Sequence, residues 1–202
     1  MCARRRRLAA VLGALIVPVS VFVTPQTDHH HTVVAAPATS MPRFTDIAPQ
    51  LGINLEREIF GPSVADYNND GRLDLLFTQH VYEPLTLFRQ QASGQVVEVA
   101  GNIGIITLQE KPGQYLEDRH GAAWGDCDND GRLDLYISIG AGAGQGSWHK
   151  RLYRNQGNNT FADVSEQAGV NIQEGRGRAV LWLDYDKDGD LDLFVANQER
   201  AG

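Results

Sequence analysis

Along the chain, short apolar runs alternate with clusters of Gly, Asn and Asp. That alternation predicts β-strands joined by tight turns. The runs SVADY, AAWGDC and AVLWLDY each lead into an acidic stretch, and LDLLFTQ, LDLYISI and LDLFVAN each lead out of one. In the outgoing set, Leu73, Leu75 and Phe77 fall on one face, as do Leu133, Leu135, Ile137 and Ile139. The opposite face is also partly apolar, with Leu76, Tyr136 and Phe194. Strands that are apolar on both faces are expected inside stacked sheets rather than on an open surface.

The acidic stretches are three copies of one motif: DYNNDGRLDL, DCDNDGRLDL and DYDKDGDLDL. They start at Asp66, Asp126 and Asp184, 60 and 58 residues apart. Flanking pieces repeat in phase. FTDIAPQLGI (Phe44 to Ile53) is similar to FADVSEQAGV (Phe161 to Val170), with VVEVAGNIGI (Val96 to Ile105) a weaker copy, and LYRNQGNNTF is similar to LFRQQASGQV. Each unit therefore reads as a Leu-aromatic-Arg strand, a Gly/Asn turn, a short Phe-x-Asp-Val-type strand, an Ala/Gly connector and the acidic motif. A fixed period with several strands per unit predicts a repeat architecture, and radially stacked four-stranded sheets are the propeller layout. The segment from Thr107 to His120 (TLQEKPGQYLEDRH) has no counterpart of equal length. It reads as an insertion in a surface loop.

The first 42 residues break the pattern. Arg4 to Arg7 precede a mostly apolar stretch from Leu8 to Val23, the layout of an export signal. The apolar stretch is short for a membrane span of about 20 residues, and Pro18 interrupts it. Residues 1–27 are thus expected to be a cleaved signal, with an uncleaved membrane anchor as the alternative. Residues 28–42, which include His29, His30 and His31, read as a linker. The repeat region is 43–202. An exported, secreted, periplasmic or cell-surface location follows as the expectation. Cys2 lies in the signal, which leaves Cys127 without an internal disulfide partner in the mature chain.

Removing residues 1–27 shifts the formal charge from -7 to -11, but the acidity is local: 12 of the 25 acids lie in the three motifs. The other 13 acids stand against 14 basic residues in all, three of which (Arg72, Arg132 and Lys187) lie in the motifs. Nucleic acid, which requires a basic surface, is not an expected partner.

Numbered from its first aspartate, the motif has oxygen-bearing side chains at positions 1, 3, 5 and 9. They are Asp66, Asn68, Asp70 and Asp74; Asp126, Asp128, Asp130 and Asp134; and Asp184, Asp186, Asp188 and Asp192. Position 6 is always Gly (Gly71, Gly131, Gly189). It permits a positive φ that wraps the backbone around a central ion. The carbonyl of position 7 (Arg72, Arg132, Asp190) is then expected to turn inward as a fifth ligand, while Cys127 and Asn129 stand at positions free to vary. An all-oxygen set of this size suits Ca²⁺, which takes about 6 to 8 oxygens. Zn²⁺ would call for His or Cys. A helical EF-hand is excluded, because position 12 is Phe77, Ile137 or Val195 in strand-like runs rather than a bidentate Glu. An Asp/Asn-rich turn without metal is the alternative, but carboxylates packed this closely three times over would repel one another. Asn68 replaces a carboxylate in the first loop, so the second and third are expected to bind more tightly.

These motifs, and FGPSVADYNNDG in particular, resemble the FG-GAP/VCBS repeats of integrin α-subunit-type β-propellers. The flanking FTDIAPQLGI, LYRNQGNNTF and FADVSEQAGV are similar to the subset found beside ASPIC/UnbV domains and in cartilage-acidic-protein-like sequences. The resemblance implies an all-β, Ca²⁺-binding propeller whose inter-strand loops hold the ions and stiffen the blades. It also implies an exported binding, adhesion or scaffold module whose partner is an unknown extracellular protein or glycan. Membrane contact is expected only through an uncleaved N-terminal anchor. Three motifs give about three blades, a partial propeller, since closed rings have about 4 to 8. The rest is expected from a longer protein or by association. The competing function is a propeller platform for a carbohydrate-active or other extracellular enzyme. Gly-x-Ser-x-Gly, His-Glu-x-x-His and phosphate-loop patterns do not occur, so no catalytic residues are assigned.

Overall fold

The computed structural model describes residues 44–53, 55, 59–79, 85–105, 117–142 and 148–198. The signal or anchor segment 1–27, the linker 28–42 and residues 107–116 of the insertion lie outside the described residues. Two compact units divide the chain, and the described residues from Ala48 onward belong to one of them. Among the described residues no helix is long and apolar enough to cross a membrane.

The strands alternate with the motifs as the hydrophobic pattern predicts. The first sheet is an antiparallel meander of β1 (Ile59–Ala65), β2 (Asp74–Gln79), β3 (Thr86–Gln90) and β4 (Val96–Glu98). The second repeats it with β5 (Glu117–Gly125), β6 (Asp134–Gly142), β7 (Arg151–Asn155) and β8 (Phe161–Asp163). The third sheet pairs β9 (Arg176–Leu183) with β10 (Asp192–Gln198). The registers are homologous: Leu75 faces Phe88 across β2 and β3, and Leu135 faces Tyr153 across β6 and β7. The Ala/Gly connectors become α1 (Ala48–Leu51), a 3-10 turn (Ala100–Asn102) and a turn closed by the Val170 N–H on the Ser165 carbonyl. The expected strand at Phe44 does not form. A short strand needs a neighbour to bond to, and β4 and β8 have β3 and β7. No Leu-aromatic-Arg strand precedes Phe44 in the sequence.

The two apolar faces of each outgoing strand serve different neighbours. Position-10 and position-12 residues of β6, Leu135 and Ile137, join Leu76 of β2 in one core with Tyr67, Leu87, Tyr153 and Phe161. The position-11 residue Tyr136 turns the other way, onto Trp182 of β9, with ring centroids 6.4 Å apart. Position 11 therefore faces the following sheet and position 10 the preceding one. Leu76 and Tyr136 are fully buried, whereas Phe194, with no following sheet among the described residues, is 45% exposed. Leu73, predicted on the buried face, is exposed. It precedes the strand, which begins only at the position-9 aspartate. Trp124 packs where a core residue should, stacked on Tyr67 at 5.9 Å.

The insertion was read as a surface loop, but its last four residues, Glu117 to His120, form the start of β5, and Glu117, Asp118 and Arg119 are buried. They are paired in place. Glu117 pairs with Arg119 at 3.0 Å and Arg151 at 2.8 Å, and Asp118 with His120 at 2.8 Å.

Candidate metal centre

Each acidic motif forms the turn between the first and second strands of its sheet, and the three turns share one hydrogen-bond scheme. The position-1 carboxylate accepts the N–H of position 5 on one oxygen and of position 6 on the other. These bonds run from Asp70 and Gly71 to Asp66, from Asp130 and Gly131 to Asp126, and from Asp188 and Gly189 to Asp184. The position-7 N–H bonds the position-5 carboxylate at 3.0 Å in all three. The position-2 N–H bonds the position-9 carboxylate, at 3.3, 3.2 and 2.9 Å. Position 6 takes the left-handed conformation its Gly allows, with φ of 82, 82 and 89°. The backbone is thus coiled around the acidic side chains by its own amides.

This coiling brings Asp126, Asp128 and Asp130 together, each offering an oxygen within 4.8 Å of the others, and does the same for Asp184, Asp186 and Asp188. In the first loop Asn68 stands at the middle position and donates to Asp70 at 3.0 Å. The position-9 aspartates stand outside these two clusters. Asp134 and Asp74 are buried, and each ties its loop to the third strand by accepting, at 2.9 Å, the N–H of Asn155 or Gln90. Each of those oxygens retains a second lone pair. The position-7 side chains of the first two loops reach the same strand: Arg72 Nε donates to the Gln90 carbonyl and Arg132 Nε to that of Asn155, both at 3.2 Å.

The electrostatics follow from this arrangement. Burial pushes the Asp74 carboxyl up, against the amides of Gln90 and Tyr67 and with the charges of Asp70 and Asp66, to about 6. Burial raises the Asp134 carboxyl in the same way, opposed by its bonds from Cys127 and Asn155. At Asp70 burial also acts upward, but the hydrogen bonds from Asn68 and the Arg72 amide and the Arg72 charge outweigh it, and the carboxyl lies below its ordinary value.

Three features of the site were not read from the pattern. Position 4, taken as free to vary, is left-handed in every loop, with φ of 56° at Asn69, 58° at Asn129 and 61° at Lys187. It also links loops: Asn69 Nδ2 donates to the Gly131 carbonyl at 3.1 Å, and Asn129 Nδ2 to Asp190 at 2.9 Å. Asn tolerates this conformation better than most residues. Arg154 of β7 extends into the second loop, its Nε 2.7 Å from Asp128 and its Nη2 3.2 Å from Asp130. Asn155 joins two loops by bonding both Tyr67 and Leu133 carbonyls. The in-phase LYRNQ and LFRQQ strings carried the signal for these last two residues.

His120 is contacted at both ring nitrogens: Nε2 meets Asp118, and Nδ1 lies against Arg178 and the Gly177 carbonyl. Trp182 packs over Gly125 and donates its Nε1–H to the Ala123 carbonyl at 3.2 Å.

The donor chemistry of the loops fits a hard divalent cation. Every cluster oxygen comes from a carboxylate or, in the first loop, an amide, and clustered carboxylates gain from a cation that offsets their repulsion. The family described as FG-GAP-like repeat matches the chain twice, over residues 66–137 and 126–195, so that each match spans two acidic loops. Cartilage acidic protein 1 of Mus musculus is 41% identical over 46 residues, covering 23% of this chain and 7% of that protein. Cartilage acidic protein 1 of Xenopus tropicalis is 26% identical over 149 residues, covering 68% of this chain and 22% of that protein. The chain thus matches less than a quarter of the length of either relative.

Proposed function

The chain belongs to the FG-GAP-like repeat family, and from that premise we propose that it is an exported, Ca²⁺-binding module whose propeller-like blades bind a protein or glycan outside the cell. The observation that carries the ion assignment is the shared scheme of four backbone N–H bonds that coils each loop around its carboxylates. Asp66, Asn68, Asp70 and Asp74 would hold the first ion, Asp126, Asp128, Asp130 and Asp134 the second, and Asp184, Asp186, Asp188 and Asp192 the third. The carbonyls of Arg72, Arg132 and Asp190 would complete these sets. Bound Ca²⁺ supplies positive charge that holds the acidic loops closed and ties the first two strands of each blade together. The chemistry asked of the protein is binding, not bond-making, and the FG-GAP-like repeat match supports a non-enzymatic role. The likeness to cartilage acidic protein 1 supports an extracellular setting.

Calorimetric titration of the metal-stripped chain with Ca²⁺ tests the ion assignment. Up to three ions per chain are expected, one for each loop, with affinities between micromolar and about millimolar and a melting temperature that rises with Ca²⁺. No heat and no thermal shift at several millimolar Ca²⁺ would overturn it. A glycan and matrix-protein binding screen in Ca²⁺, run beside a polysaccharide-cleavage assay, tests the rest. Ca²⁺-dependent retention supports the module, and turnover would replace it with an enzyme.

A further inference from the structure

Asp128 is the carboxylate that distinguishes the second loop from the first, where Asn68 stands. It is also the carboxylate that Arg154 holds. The guanidinium places Nη2 at 2.5 Å and Nε at 2.7 Å from Asp128 Oδ2, and Nη2 also lies 3.2 Å from Asp130 Oδ2. Arg132 Nη2 bonds the same Asp130 oxygen. The Asp128 side chain is 4% exposed and that of Arg154 34%, so the carboxylate is buried while the guanidinium still meets water and can swing out. The three loops differ in this respect. The first carries three aspartates and Arg72, while Arg89 of β3, in phase with Arg154, faces Tyr67. The second carries four aspartates, Arg132 and, from β7, Arg154. The third carries five aspartates and Lys187; its position 7 is Asp190, and β7 has no counterpart in its sheet among the described residues.

We infer that Arg154 is a built-in counter-cation of the second loop, one that lies across Asp128 and Asp130 where a divalent ion would draw its ligands and that sets the loop's ion affinity. This rests on the Ca²⁺ reading above. An incoming ion must turn the guanidinium away, so the extra carboxylate adds little affinity. The second loop then binds no more tightly than the first. The third loop carries the most carboxylates, five, and is the tightest site. Because Asn129 of the second loop bonds Asp190 of the third, an ion there also steadies the junction between the two.

The test follows the amide resonances of Gly71, Gly131 and Gly189, one reporter per loop, during Ca²⁺ titration of the ¹⁵N-labelled full chain. In the wild type Gly189 is expected to saturate first. Arg154→Gln should tighten binding read at Gly131 by about tenfold, the scale of losing a charge-assisted pair, and leave Gly71 unchanged. Without ion it should melt lower than the wild type, and Ca²⁺ should restore it. Arg154→Lys keeps the charge without the fork and serves as the second variant, with Gly131 responding between the other two. Wild-type binding with Gly131 titrating identically, or more weakly, in Arg154→Gln would overturn the counter-cation alone. Silence of all three glycines in every variant would overturn the Ca²⁺ reading and this inference with it.

Discussion

Asn155 and Tyr67 are joined by a hydrogen bond of 2.8 Å from the Asn155 Nδ2–H to the Tyr67 carbonyl oxygen, across 88 residues of sequence. The same amide also bonds the Leu133 carbonyl at 3.2 Å, its oxygen accepts the Gly157 N–H at 3.0 Å, and its backbone N–H serves Asp134 at 2.9 Å. One buried side chain therefore fastens the first acidic loop to the second and both to β7. Truncation to Ala leaves the buried Tyr67 carbonyl and the part-buried Leu133 carbonyl and Gly157 N–H without their partner, and should cost about 2 kcal/mol in urea unfolding. Gln90 occupies the matching place in the first sheet, where the Asp74 tie is made by its backbone N–H. Gln90→Ala should therefore cost less than about 0.5 kcal/mol. Equal losses at both sites would show that the Asn155 amide does not bridge the loops.

The strand order, the three loops and their acidic clusters were legible because alternation, in-phase repetition and the Asp/Gly spacing each report a local geometry. What escaped the sequence is what one repeat does to the next. Asn129 looked like a variable turn residue because its partner, Asp190, is 61 positions away. Arg154 received no site role because nothing local says that β7 lies against the second loop. Glu117, Asp118 and Arg119 read as loop because their segment has no counterpart of equal length in the other repeats, and their burial depends on pairings that include one between Glu117 and Arg151, 34 residues on. Leu73 was misread in the opposite direction. Alternation continued its strand by one residue too many, although the chain at that point still belongs to the loop.

Two glycines separate the kinds of constraint a repeat imposes. Gly131 sits at φ of 82° with open space around a would-be Cβ, so Gly131→Ala meets only the backbone preference of an L-residue, about 1 kcal/mol. Gly121 has an ordinary φ, but a Cβ there would lie 2.2 Å from the Arg178 carbonyl oxygen, where β5 and β9 meet. Backbone cannot give way as a side-chain tip can, so Gly121→Ala should cost more, about 2 to 3 kcal/mol, with the seam between the second and third sheets loosened first. Thermal melts rank the two, and amide hydrogen exchange along β9 locates the damage. A larger loss for Gly131→Ala, or unchanged exchange in β9 for Gly121→Ala, would contradict this account of the seam.

Asp163 gives the second sheet an acid sensitivity of defined sign. Burial acts to raise its carboxyl, but the Ser165 hydroxyl and N–H, the latter at 3.0 Å, and the Arg151 guanidinium at 2.9 Å outweigh burial and hold it below its ordinary value of 3.8. A carboxyl depressed in the folded state stabilises the fold at pH values above its unfolded value. That contribution is lost as pH falls through the folded value, where protonation removes the charge that Arg151 and Ser165 hold. The side chain is 31% exposed, and Arg151 keeps Glu117 at 2.8 Å, so the contribution is modest, about 1 kcal/mol. Wild type should therefore exceed Asp163→Asn by that amount in urea unfolding at pH 7, and the gap should close on acidification from about pH 4 downward. A gap that persists unchanged at pH 2.5 would mean that Asp163 acts through its shape and neutral hydrogen bonds, not through its charge.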